Sequence, residues 1–188
     1  MDRRRLLTFL TGAVVGVGTA LAAIPFFKFM SKPPHVNQPF HDYRVKFPKL
    51  KPGQMVSVAT TKDLIYVARR TPEQIKSLNQ RNEKLRDPNS LESDQPEYAV
   101  NSHRSINPEY FIAHGVCMHL GCSTSHISPN NDEANLKEIL PNGGYHCPCH
   151  GSIYDSAGRV YKSMPAKRNL VVPKYEFIDE TTIRFISV

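Results

Sequence analysis

The feature that most constrains this chain is a pair of short cysteine–histidine clusters. The first reads Cys117-Met118-His119-Leu120-Gly121-Cys122 and the second Cys147-Pro148-Cys149-His150-Gly151-Ser152. All four cysteines fall in these two runs, together with two of the eight histidines. Thiolate and imidazole are ligands for soft and borderline transition metals. Two tight loops can each offer one Cys and one His from opposite sides of a common centre.

Three chemistries compete for this pattern. Four cysteines in a translocated domain can form two structural disulfides, but that reading leaves the matched histidines without a purpose. A structural zinc site would use Cys117, His119, Cys147 and His150. It leaves Cys122 and Cys149 with no role except a disulfide, and it gives no reason for a membrane anchor. A 2Fe–2S cluster with two thiolates on one iron and two imidazoles on the other accounts for both loops. Neutral imidazole in place of thiolate removes negative charge and raises the reduction potential. The spare cysteine of each loop can then pair to clamp the loops together, in an oxidising compartment.

Such a compartment is implied by the N-terminus. Arg3, Arg4 and Arg5 precede an uncharged stretch from Leu6 to Phe27. Its 22 residues span roughly 33 Å as a helix, enough for a hydrocarbon core of about 30 Å. The basic cluster places the N-terminus in the cytoplasm and everything after Lys28 on the far side. Asp2-Arg3-Arg4-Arg5-Leu6-Leu7 resembles a twin-arginine export signal, a route for proteins folded around a cofactor before export. Ala20-Leu21-Ala22 fits a cleavage site, but the apolar run continues through Ala23, Ile24, Phe26 and Phe27, which favours a retained anchor. Pro25 is expected to break only the last turn.

Net charge is +7 overall. Residues 1–30 hold +3 of it, from Arg3, Arg4, Arg5 and Lys28 against Asp2. No basic run after Arg5 is long enough to track a phosphate backbone, so nucleic-acid binding is excluded. At 188 residues there is room for one domain plus an appendage, and none for a large two-domain enzyme.

The expected organisation is a signal and anchor at 1–30, a linker or hinge at 31–42, and a head domain at 43–188 with metal-binding loops at about 115–165. The linker has three prolines and no glycine, so it reads as extended and semi-rigid. In the head, Tyr43–Phe47 alternates apolar and polar, and Val56–Ala59 with Leu64–Ala68 reads as a hairpin turning near Lys62-Asp63. Thr71-Pro72-Glu73-Gln74 carries a capping box and a first-turn proline. It predicts a helix that presents Ile75, Leu78 and Leu85 and ends at Asp87-Pro88. Residues 88–108 read as a long ordered loop. Tyr110–Val116, Arg159–Tyr161, Leu170–Val172 and Thr182–Ile186 read as strands, and Asp132–Leu140 as an acidic, helical patch. The fold class is an all-β head of antiparallel sheets with a small inserted helix, plus one N-terminal transmembrane α-helix.

The motif pair C-x-H-x-G-C and C-x-C-H-G-S, the single N-terminal span, the Arg69–Gln74 stretch, Gly143-Gly144 and the loop at Pro165 resemble the Rieske iron–sulfur subunits of ubiquinol–cytochrome c reductase, the cytochrome bc complex. The resemblance covers nearly the whole chain. It implies a Rieske-type 2Fe–2S cluster with Cys117 and Cys147 on one iron, His119 and His150 on the other, and a Cys122–Cys149 disulfide. It implies that Ser152 donates to a bridging sulfur, that Tyr154 donates to the sulfur of a cysteine ligand, and that Leu120 and Gly121 lie in the loop that shields the cluster. His150 is the first choice for the quinol contact. One electron from ubiquinol would pass to a cytochrome c-type haem, a second to cytochrome b, and protons would be released outside. Partners by resemblance are cytochrome b and cytochrome c-type subunits, ubiquinol and the membrane, within a dimeric, proton-translocating complex of the respiratory chain. The location implied is the bacterial inner membrane, with a periplasmic head.

The sequence departs from the family at four places. Met118 stands where Thr is usual, and His146 holds a usually aromatic position. The Gly-x-Pro-Ala-Pro loop reads Ser163-Met164-Pro165-Ala166-Lys167, with one Gly and one Pro missing. His35, His41, His103, His114 and His126 are expected to be ordinary surface or loop residues. The alternative function is a small Rieske electron-transfer subunit of a periplasmic oxidase such as arsenite oxidase. Ring-hydroxylating oxygenases and their ferredoxins generally lack the extra cysteine pair and the anchor.

Overall fold

The computed structural model describes residues 2–30, 43–60, 64–131 and 134–186. The linker 31–42, with His35 and His41, and the hairpin tip at Lys62-Asp63 lie outside the described residues. The chain divides into two compact units, residues 1–39 and 40–188.

In the first unit, α1 spans Arg3–Met30. It is long and apolar enough to cross a membrane, by length and composition. Its hydroxyls are satisfied internally: Thr8, Thr11 and Thr19 each donate at 2.9 Å to the carbonyl four residues earlier. Hydrocarbon offers no other partner for such groups. The three arginines stand at the positive end of the helix dipole, where they do not stabilise the helix; their placement serves orientation instead. Pro25 was expected to break the last turn. The helix instead continues to Met30, because a proline removes one backbone bond while its fixed φ is helical.

Among the described residues, the second unit is built from three antiparallel sheets of three strands. In the first sheet, β1 (Tyr43–Lys46) pairs with β9 (Thr182–Phe185), which pairs with β8 (Tyr175–Asp179). The second orders β2 (Met55–Ala59), β3 (Leu64–Arg69) and β4 (Tyr110–His114). The third orders β5 (Ser125–Ile127), β6 (Gly144–His146) and β7 (Ile153–Tyr154). Ile65, Tyr66, Val67 and Ala68 are all buried. β3 therefore reads as a continuous apolar run, as a strand covered on both faces must. The core joins these residues to Phe111, Ile112, Tyr145, Tyr154, Leu170 and Ile183.

The capping box forms as expected. Gln74 N donates to Thr71 Oγ1 at 3.2 Å, and Thr71 N donates to Gln74 Oε1 at 2.9 Å. The helix that it starts, α2 (Pro72–Ser77), is shorter than expected. The segment beyond it is drawn into pairing with residues 160–162. Leu85 bridges Tyr161, Arg86 N donates to Val160 O at 2.9 Å and Lys162 N donates to Lys84 O at 2.8 Å. Tertiary pairing outweighs helix propensity here. Leu170–Val172 is likewise not a strand. Its backbone bonds go to three separate segments, at Gly158, His114 and Asp94. Residues 159–161 make two single bridges, Val160 to Tyr154 and Tyr161 to Leu85. The 88–108 loop carries a short 3-10 turn, Glu97–Ala99, and buries Ser90, Ala99, Arg104 and Ser105. The helical patch becomes α3 (Ala134–Ile139).

Candidate metal centre

Two hexapeptide loops, one between β4 and β5 and one between β6 and β7, are the same turn built twice. In the first, Cys117 N donates to Cys122 O at 2.8 Å and Gly121 N to Cys117 O at 3.1 Å. In the second, Cys147 N donates to Ser152 O at 2.8 Å and Gly151 N to Cys147 O at 2.9 Å. The fifth residue of each turn is left-handed, Gly121 at φ 83° and Gly151 at φ 74°, which explains a glycine at that place in both motifs. The first residue of each turn points a thiol inward, and later residues reach outward.

The first loop is closed at its two ends and held there by β3. Thr124 N donates to Gly115 O at 3.0 Å, and the Tyr66 hydroxyl donates to Thr124 O. The Tyr66 ring occupies the space that a side chain at Gly115 would need. The Cys122–Cys149 disulfide joins the two loops across a Cα separation of 6.6 Å. The sulfurs of Cys122, Cys147 and Cys149 lie within 4.8 Å of one another. Two of them are consumed by the bridge, so they do not form a three-thiolate site.

What remains is a polarised set of four donors. Cys117 and Cys147 are 2% and 1% exposed. Burial pushes the Cys147 thiol up from its usual range, and the backbone N–H groups of Cys149 and His150 pull against that. His119 and His150 are exposed, with ring centroids 4.8 Å apart and planes at 87°. Two thiols thus lie on the dry side and two imidazoles on the wet side.

Two buried hydroxyls lie beside the loops, one of them against a thiol sulfur. Tyr154, fully buried, places its hydroxyl 3.3 Å from Cys117 Sγ and accepts Met118 N–H at 3.2 Å. Burial first, then Cys117, raises the Tyr154 phenol far above its ordinary value, so it stays a proton donor. Ser152, also fully buried, accepts Ala166 N–H on Oγ at 3.0 Å. Its own proton is left for another acceptor. That bond ties the 163–167 loop to the second turn. Ser163, where the family's glycine is missing, adopts the left-handed conformation regardless, at φ 61°. Leu120 is 72% exposed at the tip, beside exposed Gly121.

His146 lies in β6, half-buried and paired with Ser125 and Ile153. His114 and His126 were expected on the surface or in loops. They lie in β4 and β5, half-buried, and His126 packs 5.6 Å from the Tyr145 ring. The Met118 backbone N–H escaped sequence reasoning. A main-chain donor leaves no trace in residue type.

The donor set fits a 2Fe–2S group of mixed ligation. Soft thiols face the interior, imidazoles face solvent, and the Tyr154 hydroxyl lies against a thiol sulfur.

Residues 73–176 match the family described as Rieske [2Fe-2S] domain. The ubiquinol–cytochrome c reductase iron–sulfur subunit of Allochromatium vinosum is 39% identical over 184 residues, covering 96% of this chain and 86% of that protein. The subunit of the same name from Rhodospirillum rubrum is 35% identical over 182 residues, covering 97% and 90%. Among solved structures, a chain of a hyperthermophilic respiratory Complex III aligns with a TM-score of 0.45 and 19% identity, over 93% of this chain and 98% of that one.

Proposed function

We propose a mechanism from one premise: the chain belongs to the Rieske family, as an iron–sulfur subunit of ubiquinol–cytochrome c reductase. It is an electron-transfer subunit with a Rieske-type 2Fe–2S cofactor. The oxidase-subunit alternative draws no better support from relatives whose names are those of reductase subunits.

In this reading Cys117 and Cys147 would hold one iron, and His119 and His150 would hold the other. When bound, the cluster supplies one-electron chemistry at high potential. The observation that carries the assignment is the placement of two buried thiols opposite two exposed, adjacent imidazoles. The His150 ring takes a hydrogen bond, and then a proton, from a quinol hydroxyl. A proton held on the His150 ring would offset the negative charge that the bound group would gain with the electron. Tyr154 and Ser152 donate to sulfur, which favours the electron-rich state. Exposed Leu120 covers the tip with an apolar side chain, and Gly121 lets the turn close behind it.

The finer setting follows from the same premise. The quinol is ubiquinol, the electron partners are cytochrome b and a cytochrome c-type subunit in a dimeric complex, and turnover contributes to a proton gradient. α1 anchors the subunit in the bacterial inner membrane with the head at 43–188 in the periplasm, and residues 31–42 act as the hinge. Low-temperature EPR of ascorbate-reduced membranes tests this. A Rieske g pattern that shifts with quinone-site inhibitors is expected. A signal insensitive to them would contradict the quinol role.

A further inference from the structure

Three arginines are buried in the head: Arg70, Arg104 and Arg159 are 2%, 0% and 1% exposed. They converge on one turn. Arg70 Nε donates to Ser156 O at 2.9 Å. Arg104 Nη1 donates to Ala157 O at 3.1 Å and lies 3.4 Å from Gly158 O. Arg159 Nε donates to the Asp155 carboxylate at 2.8 Å. This turn directly follows Tyr154, whose hydroxyl lies against Cys117 Sγ.

The charges do not balance. Asp155 is the carboxylate bonded to Arg159, and neither Arg70 nor Arg104 hydrogen-bonds to a carboxylate among the described residues. Asp87, also buried, directs its oxygens to Leu91 N, Glu92 N and the Ser93 hydroxyl. Most other guanidinium bonds go to neutral carbonyls, among them those of Leu78, Pro88, His103 and Pro108. The Arg104 Nε is buried without a partner. Three cations thus face two anions. Burial brings the Arg70 and Arg104 guanidinium groups down to about 10, which leaves both charged at neutral pH. A turn can be clamped by neutral amides at far lower desolvation cost. The surplus charge is therefore what distinguishes this arrangement.

We propose that the buried arginine trio is an electrostatic device that favours electron uptake by the iron–sulfur group and so raises its reduction potential. Interior charges act across a medium that screens weakly, and the trio sits behind the residue that touches a ligand sulfur. The proposal rests on the ligand assignment above.

Redox titration of the purified full-length subunit, read by low-temperature EPR, tests it by sign. Arg104→Gln removes a cation and is expected to lower the midpoint potential. Asp155→Asn removes an anion from the same group and is expected to raise it. Arg104→Lys should stay near the parent. Merely loosening the turn would move the first two variants in the same direction. Shifts of the same sign, or no shift with the EPR signal intact, overturn the proposal. If Arg104→Gln does not fold, Arg70→Gln takes its place as the cation variant, and if Asp155→Asn does not fold, Asp87→Asn takes its place as the anion variant, with the same opposite signs expected. Asp155→Asn in a Tyr154→Phe background should keep its upward shift; its disappearance there would assign the effect to Tyr154 positioning and overturn the field. Failure of the ligand assignment looks different: Cys147→Ala would then keep its cluster.

Discussion

The Tyr154 hydroxyl makes two contacts, one to a backbone N–H and one to a thiol sulfur. Its oxygen accepts Met118 N–H at 3.2 Å and lies 3.3 Å from Cys117 Sγ, to which, on the proposed ligation, it would donate. Hydrogen bonds to charged groups contribute about 1.5–3 kcal/mol, and a thiolate gains more from one as it becomes more electron-rich. Tyr154→Phe is therefore expected to assemble its cluster and to show a lower midpoint potential in a redox titration; an unchanged potential would contradict the role. The ligands are a different matter. On the proposed ligation, His150→Ala or Cys147→Ala would leave an iron one donor short, and each is expected to abolish the Rieske EPR signal. A normal signal in either variant would sink the assignment. Glycine at 144 is constrained just as sharply. Any Cβ there would run into the Tyr154 carbonyl and the Asp155 backbone, which explains why Gly143-Gly144 precedes the second loop.

At the scale of elements, the two cluster turns are held by their own hydrogen bonds and then to each other by Cys122–Cys149. The bridge closes 27 residues, a loop for which chain entropy alone suggests about 3–4 kcal/mol. A Cys122→Ser, Cys149→Ser double variant is expected to unfold at lower temperature by calorimetry and to carry less cluster per protein. Alkylation of both thiols in the unreduced native protein, with the cluster retained, would argue against the bridge. Thr71→Ala should cost about 1 kcal/mol in denaturant unfolding, since it removes one half of a formed capping box. The sequence made this box legible because its signals are local: Thr, Pro and Gln at fixed offsets. The two loops were legible for the same reason. The end of the same helix was not, because Leu85 leaves it to pair with Tyr161, 76 positions later. The very short β5, β6 and β7 carry too few residues to show a period. The arginine trio was hidden for a related reason. Arg70, Arg104 and Arg159 meet only after the chain has folded, and each alone looks like a surface cation.

For the molecule as a whole, the question is what the N-terminal unit is for. α1 exposes eleven large apolar side chains, from Leu6 to Phe27. Leaving each in water costs about 1.5–3 kcal/mol relative to burial, far more than a single domain's net stability of about 5–15 kcal/mol could offset. The helix therefore needs an apolar surrounding. A cleaved export signal would meet that need only during passage, and its apolar region runs to about 7–15 residues. Here the helix is 28 residues long and continues through Pro25 to Met30, past the Ala20-Leu21-Ala22 site. Such a length suits permanent residence across a bilayer. It also suits the proposed function, because an electron carrier that was to meet a membrane-dissolved quinol would gain from being held at the membrane surface. The mature protein is accordingly expected to keep α1, to require detergent for extraction, and to show by intact-mass measurement a chain that includes residues 6–27. A product that begins at Ala23 and stays soluble without detergent would show that the segment serves export alone.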